Sequence, residues 1–299
     1  MFSDKSFGYG GFMPLRSFLA FAFLALVGCT TTLSPSRALG IDPFYTQYLS
    51  ARGIPVVASA RVSPRALSAA RSMAEEMTAH RPDLARVLAE RGYRIAVMGP
   101  EEALLDLPEM RHWRKPAPGD PRLTRCEIKH YEARIGRLTD RQYWDARARG
   151  IGGRHMVAAE EDLLGLHGNR YFGETIFVHE FSHQILDAVR IADPELYRLL
   201  EAAYAAAKAA GRWREEYTMT TVDEYWAEGT QFWFGSNRLQ VFDGRRILER
   251  EDLKAYDPAL FMVLQAVFGD VQRLSADPFH KHPARVPPGP PPVNTAEVC

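Results

Sequence analysis

The chain lacks an excess of either charge: 37 Lys and Arg balance 37 Asp and Glu, and the sequence pI is near 7.1. Without a basic field, nucleic acid is excluded as the main partner, and so is a purely electrostatic attachment to anionic lipid. The local basic cluster RHWRK at Arg111 to Lys115 reads as a solvated loop. No internal repeat is visible. Cysteine is scarce, with Cys29, Cys126 and Cys299 the full set. With 46% hydrophobic and 25% charged residues, the chain is excluded from the disordered and fibrous classes and has the makings of a globular core.

A long apolar run is also missing. The stretch from Phe18 to Gly28 falls short of the roughly 20 residues that span a bilayer. Placed behind Arg16, it has the length of a signal-peptide core behind a basic segment. Leu26-Val27-Gly28-Cys29 resembles the lipobox of bacterial lipoproteins. The resemblance implies cleavage after residue 28 and acylation of the Cys29 thiol, with either Met1 or Met13 as the start. It implies a cell-envelope location. Thr30 is not the aspartate associated with inner-membrane retention, which points to the outer membrane in a Gram-negative host. In that oxidising compartment Cys126 and Cys299 are a candidate pair.

Residues 29–39 read as a polar tether, 40–280 as one domain and 281–299, with HKHPARVPPGPPP, as a proline-rich disordered tail. Ser63-Pro64 starts a helix to about His80, and a second helix covers Pro82 to Arg91. Tyr93 to Gly99 alternates as a strand and residues 106–125 read as a long loop. Arg154 to Ala159 is a short strand, and its edge could pair with an extended substrate. Further helices are expected at Phe172 to Ile191, from Pro194 through Ala210, at Thr221 to Phe234 and over Ala255 to Gly269. The fold class is therefore α+β, mostly helical with a small sheet.

Within FVHEFSHQIL, His179-Glu180-Phe181-Ser182-His183 has the H-E-x-x-H form. On a helix, residues four apart share a face, so both imidazoles can converge on one ion, and the glutamate can serve as general base on a water. A catalytic zinc needs a third protein ligand and an open position. Leu186 and Val189 stand where a metzincin would carry glycine and histidine, which excludes that class. Asp187 lies eight residues from His179, about 12 Å of helix rise, too far to share an ion. The better candidate is Glu224, with Glu228 one turn on to orient a ligating histidine. In a competing assignment Thr221 and Glu224 form a capping box. Thr220 with Asp223 could cap instead and leave Glu224 free, and that assignment is preferred. Trp226, Phe232, Trp233 and Phe234 read as core, and His280 and His282 as solvated.

The set H-E-F-S-H, Tyr217 and E-Y-W-A-E resembles the catalytic domain of anthrax lethal factor and its relatives, a gluzincin group of zinc metallopeptidases. The resemblance is strong over about 172–234 within a ligand-bearing part of about 150–270. It implies a zincin-like fold with His179, His183 and Glu224 as zinc ligands and Glu180 as base. It also implies that Tyr217 stabilises the oxyanion and Glu228 supports a ligand. Gly229, directly after Glu228, departs from good helix chemistry. The expected function is zinc-dependent hydrolysis of peptide bonds in a peptide or protein substrate. The alternatives are a zinc amidase acting on cell-wall peptides and a non-catalytic surface lipoprotein with a structural metal site.

Overall fold

Alternating apolar residues build a four-stranded sheet that divides two cores. In the computed structural model, which describes residues 39–121, 123 and 125–290, the strands are β1 (Gln47–Ala51), β2 (Ile54–Ala58), β3 (Arg94–Met98) and β4 (His155–Ala159). They lie in the order β1-β2-β3-β4, with β1 antiparallel to β2 and the other pairs parallel. Val56, Ala58, Ile95, Val97, Met156 and Ala158 face the main core. Val57, Ala96, Met98 and Val157 face a smaller one capped by Tyr45, Leu104 and Met110, as the two-residue period of a strand requires. The leader, Cys29, residues 30–38 and Cys299 lie outside the described residues. Cys126 is buried and disulfide-bonded.

Helices α1 (Pro64–Met77) and α2 (Pro82–Glu90) link β2 to β3, each starting on the expected proline. The long excursion from β3 to β4 holds α3 (Arg125–Lys129), a π-helical turn and α4 (Asp140–Arg147). Within it the basic cluster is not wholly solvated, because Lys115 donates to the carbonyls of Ile135, Gly136 and Leu138. A single turn, α5 (Glu160–Leu163), leads toward α6 (Ile176–Ala192) and α7 (Pro194–Ala209). Then come α8 (Val222–Phe234), the hairpin β5 (Gln240–Phe242) and β6 (Arg245–Ile247), α9 (Arg250–Tyr256) and α10 (Pro258–Phe268). The fold is mixed α+β, mostly helical with a small sheet.

Three expectations need correction. Helix α6 starts at Ile176, not near residue 172. Gly173 adopts a left-handed φ of 108° there, and a Cβ on it would run into the Ala284 carbonyl of the passing C-terminal segment. Within residues 281–286, expected to be disordered, Pro283–Arg285 form a 3-10 turn and Arg285 is buried, while the residues around it stay largely exposed. The Arg285 guanidinium is 2% exposed and donates to Glu249, Leu248 O and Asn237 O. His282 is exposed, as expected, while accepting from Ala284 N–H and lying edge-on to the rings of Phe172 and Phe279; His280, expected to be solvated, is half-buried with its Nδ1 shut off from solvent.

Gly229 lets α8 approach α10. A Cβ there would sit 2.6 Å from Leu260 Cδ2 and 3.3 Å from Leu264 Cδ1, both fully buried. Gly229→Ala is therefore expected to destabilise the protein in denaturant unfolding. Overpacking costs about 1–3 kcal/mol and exceeds the roughly 1 kcal/mol that alanine gains in a helix. A variant as stable as the parent would show that the leucines yield freely.

Candidate metal centre

Helix α6 is apolar on most sides. Phe177, Val178, Phe181, Ile185 and Leu186 are fully buried, and His179, Glu180 and His183 form a polar seam between them. The N-cap residue, Thr175, does not cap with its own side chain. Asp162 does so from α5, accepting from Phe177 N–H at 3.1 Å and from Asn169 Nδ2 at 3.2 Å. Across the seam, the Trp226 indole donates to Ser182 O at 2.8 Å and pins α8 beside His183. Arg190 bridges the same two helices, pairing with Asp187 at 2.8 Å and with Asp223. Asp187 also accepts from the Tyr93 hydroxyl at 3.1 Å.

Thr221, not Thr220, caps α8, accepting from Glu224 N–H at 3.1 Å. Thr220 is turned back, donating to Tyr217 O at 2.7 Å. The reciprocal half of a capping box is not made, because the Glu224 carboxylate points the other way. Its Oε2 lies 3.0 Å from His179 Nε2 and 3.7 Å from His183 Nε2. The three ligand atoms fall within 4.8 Å of one another, and among the described residues no other histidine, cysteine or acid joins the group. Four ligands at 2.0–2.1 Å from a tetrahedral zinc stand about 3.3 Å apart. The trio fits that ion with small adjustments.

The electrostatics also call for a cation. Burial opposes a charged His179, but its hydrogen bond to Glu224 and the charges of Glu180, Glu224 and Glu228 outweigh it and push the imidazole up to about 10. Burial and the His179 charge together lower His183 to about 4. Glu180, held by Gly152 N–H, is pushed up to about 7 by burial, with a further push from Glu224. Without a metal, a proton on His179 neutralises part of this acidic cage.

These groups line a cavity of 790 Å³, together with Tyr217, Tyr171 and the Gly150–Gly153 segment. Tyr217 stands in a 3-10 turn ahead of α8, its hydroxyl hydrogen-bonded to Glu224 and its ring 6.4 Å from that of His179. Gly152 must be small, since a Cβ would lie 3.0 Å from His183 Cδ2 and 3.1 Å from Glu180 Oε2. The edge of β4, expected from sequence to be free for an extended substrate, is not open along its whole length. Ile151 pairs with Val157 in both directions, at 2.9 and 3.1 Å, and so occupies the edge at that one residue.

Glu228 Oε1 stands 3.7 Å from His179 Nδ1, beyond hydrogen-bond range, while its Oε2 accepts from Asn237 at 2.8 Å. The group facing Nδ1 more closely is Gln231 Oε1, at 3.1 Å. Sequence reasoning missed Gln231. Its position two turns beyond Glu224, on the same face of α8, is the signal that could have found it.

Asp162 gives the helix a pH-dependent anchor. Burial raises its carboxyl from 3.8 to about 7, against the pull of Phe177 N–H and Asn169. Between those values the unfolded chain releases the proton first, so stability falls as pH rises from about 4 to 7 and levels above. In Asp162→Asn this titration is gone. The stability difference between parent and variant, from denaturant midpoints, is expected to change by that amount across pH 4–7 and to be constant above pH 8. A difference that is flat throughout would refute this.

No protein-family model matches the chain, and no curated protein matches it. Among solved structures it is similar to that of the PRO-PRO endopeptidase (PPEP-2) from Paenibacillus alvei. The TM-score is 0.42 and the identity 17%, over 71% of this chain and 97% of that one.

Proposed function

We propose that the chain is a zinc-dependent metallopeptidase of the gluzincin type, held at the bacterial cell envelope by lipid on Cys29. The observation carrying this reading is that His179, His183 and Glu224 converge within 4.8 Å on a cavity that Glu180 and Tyr217 also line. Three ligands beside an open cavity suit a catalytic site, whereas structural zinc sites are closed by four.

Zinc, when bound, supplies a Lewis acid that polarises a scissile carbonyl and acidifies water. Glu180 takes a proton from the attacking water as the new C–O bond forms. It then delivers that proton to the leaving nitrogen as the C–N bond breaks. Gly152 N–H keeps the carboxylate aimed across the cavity. Tyr217 is placed to donate to the developing oxyanion, a bond worth roughly 2.7–4 kcal/mol of barrier in comparable sites. For that it must release Glu224, the partner it holds here.

Incubation of the zinc-loaded protein with a mixed peptide library, read by mass spectrometry, tests the reading. Cleavage is expected, lost on chelation and restored by zinc. Peptides left intact while peptidoglycan fragments are cut would replace the peptidase with a cell-wall amidase. The anchor is checked separately: palmitate labelling is expected in the parent and absent in Cys29→Ser.

A further inference from the structure

An imidazole that gives Nε2 to a metal as a neutral ligand carries its proton on Nδ1 and needs an acceptor there. Glu228, the expected acceptor, is 3.7 Å away and turned to Asn237. The acceptor at 3.1 Å is Gln231 Oε1. Gln231 is 1% exposed. Its other end, Nε2, faces the Thr175 carbonyl at 3.4 Å, at the N-cap of α6.

A backbone carbonyl can only accept. The Gln231 amide must therefore present its NH2 to Thr175 and its oxygen to His179. An amide oxygen can only accept, so His179 Nδ1 must donate. We propose that Gln231 is a positioning residue that fixes His179 as the Nδ1–H tautomer and aims Nε2 at the metal. The instruction originates in the helix-start carbonyl of Thr175 and passes through a neutral amide. A neutral relay suits a pocket already crowded with Glu174, Glu228 and Glu224.

The inference rests on the metal-site reading and not on the substrate. Zinc dissociation constants, measured by chelator competition, test it in Gln231→Met, Gln231→Glu and Glu228→Gln. Gln231→Met keeps the volume but loses the acceptor, and is expected to bind zinc about 10–100-fold more weakly. Gln231→Glu restores an acceptor and is expected to recover most of that loss. Glu228→Gln is expected to lose less than Gln231→Met. The thermal midpoint of each metal-free variant serves as a folding control. The proposal is overturned if Gln231→Met binds zinc like the parent. It is equally overturned if Gln231→Glu is as weak as Gln231→Met, which would mark a packing role, or if Glu228→Gln shows the larger loss. A parent that takes up no zinc would overturn the metal reading with it. A parent that binds zinc but cuts no peptide would sink the peptidase reading alone.

Discussion

Glu180→Gln is expected to lower kcat/KM for peptide cleavage by about 10²–10⁴-fold while leaving zinc content at the parental level. The substitution keeps the shape of the side chain and an oxygen that can still accept from Gly152 N–H. What it removes is the capacity to take a proton from water and return it to the leaving nitrogen. Glu180 is not among the three converging ligands, so metal uptake should not depend on its charge. Zinc by elemental analysis beside steady-state rates separates the two effects. Near-parental activity would refute Glu180 as base, and a parallel loss of zinc would recast it as part of the binding cage.

Glu224→Ala is expected to reduce bound zinc from one equivalent to a trace. It removes one of three ligand atoms and leaves His179 Nε2 without the partner that stands 3.0 Å away. The effect should exceed the roughly 10–100-fold cost of losing an outer partner of a ligand. The rival role, capping α8, predicts something different. The cap bond runs from Glu224 N–H to the Thr221 hydroxyl and uses only the backbone, so alanine preserves it. Zinc should therefore vanish while the metal-free thermal midpoint changes little. Retained zinc with a lowered midpoint would return Glu224 to its helix end.

How far the sequence revealed this site follows from where its information is local. His179, Glu180 and His183 were legible because one helical turn brings them together whatever the rest of the chain does. Glu224 was legible as a type and a spacing, but its aim was not. Thr221, not Thr220, takes the cap, and the Trp226 hydrogen bond to Ser182 O holds α8 beside α6, where the carboxylate meets His179. Gln231 escaped because an amide two turns along a helix looks like any polar residue until its partners are seen.

The fold shows the same limit. Helices α1, α2, α7 and α10 announced themselves through Ser-Pro, Arg-Pro and Asp-Pro starts. The hairpin of β1 and β2 turns on Arg52-Gly53, both at positive φ, and arginine is no turn signal. Asp243-Gly244 is such a signal, yet strands of three residues are too short for alternation to register. Among residues 281–290 the prolines allow one 3-10 turn and no longer element. They do not exclude burial, because Arg285 satisfies its guanidinium on neighbouring carbonyls instead of on a ladder.

Asp277 gives that late segment a consequence for assembly. Its two oxygens accept from the Thr175 hydroxyl and the Ser236 hydroxyl, each at 2.5 Å. It thereby ties the start of the histidine helix to the end of the glutamate helix, across sequence separations of 102 and 41 residues. In chain order all three candidate ligands precede Asp277, so this knot is the last of these parts to be synthesised. The loop that closes it is long, and its entropy must be met late. A nascent chain released before Asp277 emerges carries every ligand without this tie between the two ligand helices.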